Sequence, residues 1–540
     1  MLGNSYCSPS TQYPVPSTQY PEPRRLPIAH PSLHPDAYAR ALDARDPRFD
    51  GVFFVGITTT RVYCRPVCPA RVAYHDHRRF FNSAAAAESA GFRPCMRCRP
   101  ELAPGLALCD AVSRLARMAA QRISAGGLNG RSVADLAGEL GVSGRHLRRA
   151  LEREIGVSPL ELAQTHRLLL AKRLLVDTGL PVTRVAYASG FQSLRRFNAA
   201  FREQYRMAPT ALRRRPETRR PSPASGPEGE SIRFTLAYRA PFAWDALLDF
   251  LGGEATPCVQ RVADNSYGRT VRIDNHTGFV LAWDAPPRPR ASGNTADTHV
   301  VVEVSASLLP VLMPLIARLR RVFDLDAEPT VVDAHLEQGG LGALVAKRPG
   351  MRVPGAFDGF ETALRMLLSG PLAARLTEAF GEPIATGIPG LTHVAPAAAQ
   401  IAAVGGARLE ALGVPSRRAA SIIALASAIA NGRLWLDPGG DLEGLQHGLR
   451  EIDGISEQLA TTIAMRTLYW PDAFPATDPA LQRAAGVASA GALLEKAERW
   501  RPWRAYAALH LWLEAAGRGS TFYHHDSPPS PRPSRAGLLR

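Results

Sequence analysis

Four cysteines stand in two close pairs, Cys64-x3-Cys68 and Cys95-x2-Cys98, with 26 residues between the pairs. A pair two or three residues apart lets one turn supply two thiolates. Two such pairs make the tetrahedral sulfur set that Zn2+ prefers, with Zn–S bonds of about 2.3 Å. Disulfides are the competing use of paired cysteines, but they persist in oxidising compartments. The N-terminus lacks the apolar core of a signal peptide, and no apolar run reaches the length of a membrane span. The reading is therefore a cytoplasmic protein with reduced thiols. Cys7, Cys109 and Cys258, the remainder of the seven, have no neighbour at ligand spacing and read as structural.

A second chemistry is written in charge. The 540 residues carry 64 Lys+Arg against 49 Asp+Glu, a net charge of +15, which favours a polyanionic partner such as nucleic acid. Between Arg131 and Arg220 there are 18 Lys+Arg and 8 Asp+Glu, a surplus of ten. A charge run is often only a solvated face, but a surplus this size on helices points to phosphate contact. Only three of the basic residues are Lys (Lys172, Lys347, Lys496). With so much Ala, Gly and Pro, this Arg bias reflects composition and is not a choice for bidentate contacts.

These groups need elements to hold them. RSVADLAGELGVSGRHLRRALEREIG (131–156) reads as helix, glycine turn, helix: Val133, Leu136, Ala137 and Leu140 form an apolar stripe, Gly141 breaks it and Ser143 caps the next helix. LPVTRVAYASGFQSLRRFNAAFREQYRMAP (180–209) repeats the pattern with Gly190 at the turn and Ser193 opening the helix. An apolar helix, Pro159 to Asp177, joins the two. The Pro/Ser/charge stretch from Arg213 to Glu230 marks a boundary. Beyond it, short alternating strands (Ile232–Tyr238, Thr270–Asp274, His299–Val304) mix with helices, and from Arg348 to Ala516 the pattern is almost purely helical.

The expected architecture is multidomain α+β. It has a leader over 1–34, a small Zn(Cys)4 α/β domain over 35–104, and an all-α double helix-turn-helix domain over 105–215. A linker over 216–230 leads to a mixed β-sheet subdomain over 231–345 and an all-α helix-hairpin-helix domain over 346–516, with a tail over 517–540. Leader and tail are too poor in apolar residues to order themselves.

Three resemblances follow from quoted residues. FFVGITTTRVYCRPVCPAR (53–71) with SAGFRPCMRC (89–98) resembles the zinc domain of the Ada family. That likeness implies that Cys64 is both ligand and nucleophile, taking a methyl group once and irreversibly from a methylphosphotriester of DNA. It also implies DNA contacts at Thr60, Arg71 and Arg93. The chemistry is coherent: one Zn2+ with four thiolates carries about two negative charges, and methylation removes one, relaxing the repulsion from phosphates. A purely structural zinc ribbon is the bland alternative.

The paired helix-turn-helix units, ending in FREQYRMAPTALR (201–213), resemble an AraC-type DNA-binding domain. This implies recognition helices at Ser143–Glu152 and Ser193–Tyr205, with Arg145, Arg148, Arg195 and Arg196 facing DNA. Promoter binding would make RNA polymerase a partner, and a monomer is the default state for this architecture.

RRVFDLDAEP (320–329), RPGMRVPGAFDGFE (348–361), WPDAFPATDPALQRAAG (470–486) and AERWRPWRAYAALHLW (497–512) resemble the AlkA glycosylases. The likeness implies a hairpin gripping a phosphate through backbone N–H groups, here around Gly454 and Ser456. It also implies a flipped base beside Trp512 and Asp478 driving glycosidic cleavage without a cofactor. Thr477-Asp478-Pro479 is equally good helix-capping chemistry.

The departures are specific. Where the family reads L-P-G-I-G-x-W-T-A-x-Y, this chain has Asp453 for the Pro, Ser456 for a Gly, and Gln458 and Thr462 for both aromatics. Leu368–Leu372 looks like a short deletion. Two readings follow. In one, a methyl-accepting, DNA-binding regulator is fused to an active 3-methyladenine-type glycosylase; in the other, the glycosylase-like domain is inactive and only binds DNA. Cys258, beside Pro257, lacks the following His of an O6-alkylguanine acceptor motif, and no such repair is expected.

Overall fold

The computed structural model describes residues 35–70, 73–105, 107, 113–212, 231–286, 288–289, 296–438 and 440–517. Arg71, Cys7 and Cys109 lie outside these residues, as do the leader, the 216–230 linker and all but Gly517 of the tail.

Helix α1 (Pro35–Asp43) leads into a four-stranded sheet of β1 (Phe54–Ile57), β2 (Val62–Cys64), β3 (Arg78–Phe81) and β4 (Arg93–Pro94), in the order β3-β1-β2-β4. β1 pairs antiparallel with β2 and β3, while β4 runs parallel to β2. Tyr38 stacks on Phe53 at 4.2 Å, and their cluster closes over the four cysteines. Helix α2 (Ala84–Ser89), capped by Ser83, carries this unit onto the next.

That next unit is all helix: α3 (Arg114–Ser124), α4 (Val133–Glu139), α5 (Gly144–Glu154), α6 (Pro159–Asp177), α7 (Val182–Ala188) and α8 (Leu194–Tyr205). The starts follow from capping. Ser132 and Asp135 form a reciprocal box, as do Ser158 and Glu161, and Ser143 and Ser193 accept from His146 and Arg196 N–H. Gly141 and Gly190 sit at φ +66° and +88°, the left-handed conformation each tight turn requires. The expected recognition helices start one residue later than read, because each serine is the cap and not the first helical residue.

In the second half β5 (Ser231–Ala237), α9 (Trp244–Gly253), β6 (Gln260–Ala263), β7 (Ser266–Ile273), β8 (His276–Asp284), the short β9 (Arg288–Pro289) and β10 (Ala296–Asp297), and β11 (His299–Ser305) follow. The main sheet is antiparallel in the order β5-β11-β8-β7-β6. Then come α10 (Leu312–Val322), α11 (Pro329–Leu336), α12 (Gly342–Lys347), α13 (Gly359–Leu367), α14 (Gly370–Phe380), α15 (Ala398–Val404), α16 (Gly406–Ala411) and α17 (Ser416–Ala430). The last are α18 (Leu442–Arg450), α19 (Glu457–Thr467), α20 (Pro479–Ala485), α21 (Ala490–Ala497) and α22 (Arg504–Gly517). The fold is thus mixed: a four-cysteine unit, a helix-turn-helix region, a sheet subdomain and a helical domain. One apolar cluster runs without a break from α6, α7 and α8 into the sheet and α10. No helix of the described residues is long and apolar enough to cross a membrane.

Candidate functional site

Strand β2 ends in Cys64, the following turn supplies Cys68, and β4 delivers Cys95 and Cys98 from the neighbouring strand. All four are buried, and their sulfurs lie within 4.8 Å of one another. The donor set fits zinc: four soft sulfurs with no competing oxygen donor. Two backbone N–H groups support the sulfurs, Arg65 donating to Cys98 Sγ and Arg97 to Cys95 Sγ, each at 3.4 Å. The Arg65 guanidinium is itself buried. It pairs with both oxygens of Asp50 and donates to the Cys98 carbonyl at 3.1 Å. A fixed cation thus stands beside a cluster that is anionic when metallated.

Thr60 is exposed in the turn between β1 and β2, and Arg93 lies beside it, its N–H donating to Arg61 O at 2.9 Å. Behind the site, Tyr63 OH donates to Glu88 at 2.9 Å, and Glu88 also accepts from Thr165 of α6 at 3.0 Å. Burial pushes the Glu88 carboxyl up to about 8.

On α5, Leu147 and Leu151 are buried while Arg145 and Arg148 are exposed; on α8, Phe197, Phe201 and Tyr205 are buried while Arg195 and Arg196 are exposed. Each helix therefore buries one face and turns its arginines outward, the disposition a groove-reading helix needs.

Helices α18 and α19 form a hairpin. Gly454 has φ +87°, and Ser456 caps α19 by accepting from Leu459 N–H at 3.2 Å. Asp453 is not a bare charge: Arg417 at the start of α17 pairs with it at 2.8 Å. Downstream, Asp478 is 5% exposed. Its Oδ1 accepts from Ala480 N–H at 2.7 Å and Leu481 N–H at 3.4 Å, and its Oδ2 accepts from Trp512 Nε1 at 2.9 Å. The carboxylate thus caps α20 and is fixed from α22 at once. Thr462 is buried, donating to Gln458 O at 2.9 Å, where the AlkA-type motif has an aromatic.

Three family models match the chain: the metal binding domain of Ada over residues 37–101, a helix-turn-helix domain over 136–215, and the AlkA N-terminal domain over 233–358. A Mycobacterium tuberculosis protein named probable bifunctional transcriptional activator/DNA repair enzyme AlkA is 38% identical over 88% of this chain and 95% of its own. The chain belongs to this Ada–AlkA family. DNA-3-methyladenine glycosylase 2 of Escherichia coli is 33% identical, over 52% of this chain and 96% of its own. The Escherichia coli bifunctional transcriptional activator/DNA repair enzyme Ada is 35% identical, over 24% of this chain and 35% of its own.

Arg65, Asp50, Glu88 and Arg417 are the residues that the family motifs do not point to. Arg417 had one available signal, since an acid at the hairpin invites a cation, but its helix lies 36 residues upstream. Cys258 is buried with φ +68°, and burial pushes its thiol up to about 11, which makes it a poor nucleophile.

Proposed function

We propose that this member of the Ada–AlkA family is an alkylation-repair enzyme and DNA-binding regulator in one chain, acting on double-stranded DNA. At the first centre Cys64 accepts methyl from a backbone methylphosphotriester. Zinc held by Cys64, Cys68, Cys95 and Cys98 would keep these sulfurs as thiolates at neutral pH. The Cys64 sulfur attacks the methyl carbon, an S–C bond forms, the C–O bond breaks, and the phosphodiester leaves as an anion. A thioether does not return its methyl to a phosphodiester, so each molecule turns over once. Thr60, Arg71 and Arg93 would seat the phosphate, while Arg145, Arg148, Arg195 and Arg196 would hold promoter DNA, with RNA polymerase as the partner of a monomeric, nucleoid-associated activator.

At the second centre Asp478 would stabilise the oxocarbenium-like sugar as the C1′–N bond of an alkylated purine breaks and water adds at C1′. Such a base leaves readily because it is cationic, and the Trp512 ring would face it. The three lysines support a hydrolase without lyase chemistry. Lys172 pairs with Glu101 in the interior, Lys347 with Glu514 at 2.9 Å, and Lys496 donates to Ala485 O at 2.7 Å, so each amine is engaged.

The observation that carries the glycosylase reading is the double restraint on Asp478. A mere cap would need only Oδ1, whereas Trp512 aims and holds the second oxygen. Single-turnover release of 3-methyladenine from alkylated duplex, wild type against Asp478→Asn, tests it: release lost in the variant is expected, and no release from wild type defeats it. For the acceptor, intact mass after incubation with methylphosphotriester DNA should rise by one methylene on Cys64. An unchanged mass leaves only a structural zinc site.

A further inference from the structure

The Pro/Ser-rich stretch after Arg213 marks a domain boundary in sequence, yet side chains from the two halves are interlocked. Arg239 follows β5 in the second half and is 5% exposed. Its Nη2 donates to Asp50 O and Gly105 O of the first half, each at 3.0 Å. Its Nη1 donates to Asp326 O at 3.0 Å, and its Nε lies 3.2 Å from Glu328 Oε2. The contact is answered from the other side: Gly105 N–H donates to Asp326 Oδ1 at 3.1 Å, and Asp326 is held in turn by Arg320. There is no slack, since a Cβ on Gly105 would stand 2.3 Å from Asp326 Oδ1.

Both ends of this junction run on into the sites. Asp50, whose carbonyl takes Arg239, gives its carboxylate to Arg65, the residue after Cys64. The Arg239 carbonyl in turn accepts from Arg352, which also donates to Asp324 O at 3.2 Å and Ala327 O at 3.1 Å. Asp324 accepts from Tyr506 at 2.7 Å on α22, the helix that carries Trp512. A second patch repeats the pattern. Arg114 of α3 lies over Trp470 at 4.6 Å and donates to Gly440 O at 3.1 Å, and Arg122 donates to Pro438 O at 3.0 Å. The shared apolar cluster lies under α6–α8, where Arg173 covers Phe234 at 5.2 Å.

Buried guanidinium donors need acceptors, and Nη2 of Arg239 finds both of its acceptors in the first half. Transient inter-domain interfaces are polar throughout, whereas here an apolar cluster runs unbroken from α6–α8 into the sheet of the second half. We propose that the glycosylase half is permanently docked on the zinc-bearing half, with Arg239 as the keystone of the interface, so that the halves hold together without the covalent link between them. Its partner is thus the first half of the same chain. This does not rest on either activity proposed above.

The test is to place a protease site between Arg220 and Pro221 of the full chain, cut it, and follow the two pieces by size exclusion at micromolar concentration. Co-elution as one species is expected, and separation of the wild-type pieces overturns the proposal. Arg239→Ala should raise the dissociation constant of the pieces by about 100-fold or more, the scale of two charge-assisted hydrogen bonds lost across the interface. Arg239→Lys should fall between, because an ammonium keeps the charge and loses the fork. Gly105→Ala, on the opposite piece, attacks the same contact while leaving the second half untouched. Co-elution with no weakening by Arg239→Ala and Gly105→Ala would remove Arg239 as the keystone.

Discussion

Glu88 is a carboxyl of the zinc-bearing unit packed against α6, and it is 7% exposed. The groups around it are Tyr63 and Thr165, which donate to it, Lys172 and Glu101, which pair with each other, and Tyr205. Burial dominates, lifting the carboxyl from the usual 4.5 to about 8. The folded chain therefore binds this proton more tightly than the unfolded chain does. Stability from this group is full below about 4.5, falls as pH rises toward 8, and is level beyond. At ~1.4 kcal/mol for each pH unit of that interval, ionising Glu88 costs about 3 kcal/mol at pH 7 and about 5 kcal/mol at pH 9. Glu88→Gln keeps the shape and an acceptor for Tyr63 and abolishes the titration. Wild type and variant should then unfold alike at pH 4, while at pH 9 the variant's first calorimetric transition should lie higher by ~2–4 °C for each kcal/mol. Parallel pH dependence of the two proteins from pH 4 to 9 would refute the reasoning.

Three further outcomes are expected. Arg417→Ala should leave stability essentially unchanged, since the pair is exposed, yet weaken duplex binding several-fold by leaving Asp453 unpaired at the hairpin. Asp453→Asn in the same chain should restore binding, measured by fluorescence anisotropy at low salt. Trp512→Phe removes the donor to Asp478 Oδ2 and should slow base excision about 10- to 100-fold in single turnover, the scale of one hydrogen bond to a charged group. Arg148→Ala and Arg196→Ala should each flatten the slope of log affinity against log salt for promoter duplex by ~0.9 if the residue contacts a phosphate, and an unchanged slope removes it from that role.

What was legible in the sequence was whatever the chain states within a few residues. Cysteine pairs at ligand spacing and serines ahead of helices act over one turn, and the structure has the sulfurs together and the serines capping. The α6 bounds follow from a Ser-Pro start and a closing Asp177 in the same way. The sheet was only partly legible: β7 begins four residues earlier than the strand read there, and β8, buried on alternate residues from Gly278 to Ala282, was not singled out. What was not legible depends on distant partners. Arg239 meets Asp50 across 189 positions, Asp453 meets Arg417 across 36, and Trp512 meets Asp478 across 34. No local pattern distinguishes a buried, forked arginine from the many that composition imposes. A polar linker likewise says that a boundary exists in sequence, and nothing about whether the flanking surfaces dock.

The hairpin shows why an altered motif does not mean a lost grip. A phosphate at such a turn is held by backbone N–H groups, so side-chain identity matters only where the backbone conformation demands it. Gly454 is such a position: its φ is +87°, and a Cβ there would meet Ser421 Oγ at 2.4 Å. This glycine is kept. Ser456, replacing a family glycine, has φ −71°, a conformation open to any residue, and its hydroxyl caps α19. Asp453, replacing a family proline, is neutralised by Arg417. Each departure in the turn is thus compatible with the proposed grip, whereas the two ring positions of the family motif are filled by Gln458 and Thr462. Thr462 donates to the backbone carbonyl of Gln458 one turn earlier and neither residue carries a ring, so the proposed contact with a cationic base falls to Trp512 alone. Excision should therefore favour bases that leave readily over bases that must be held tightly. The proposed loss falls on substrate range, while the glycine turn at Gly454 and the restraint of Asp478 by Trp512 are both present.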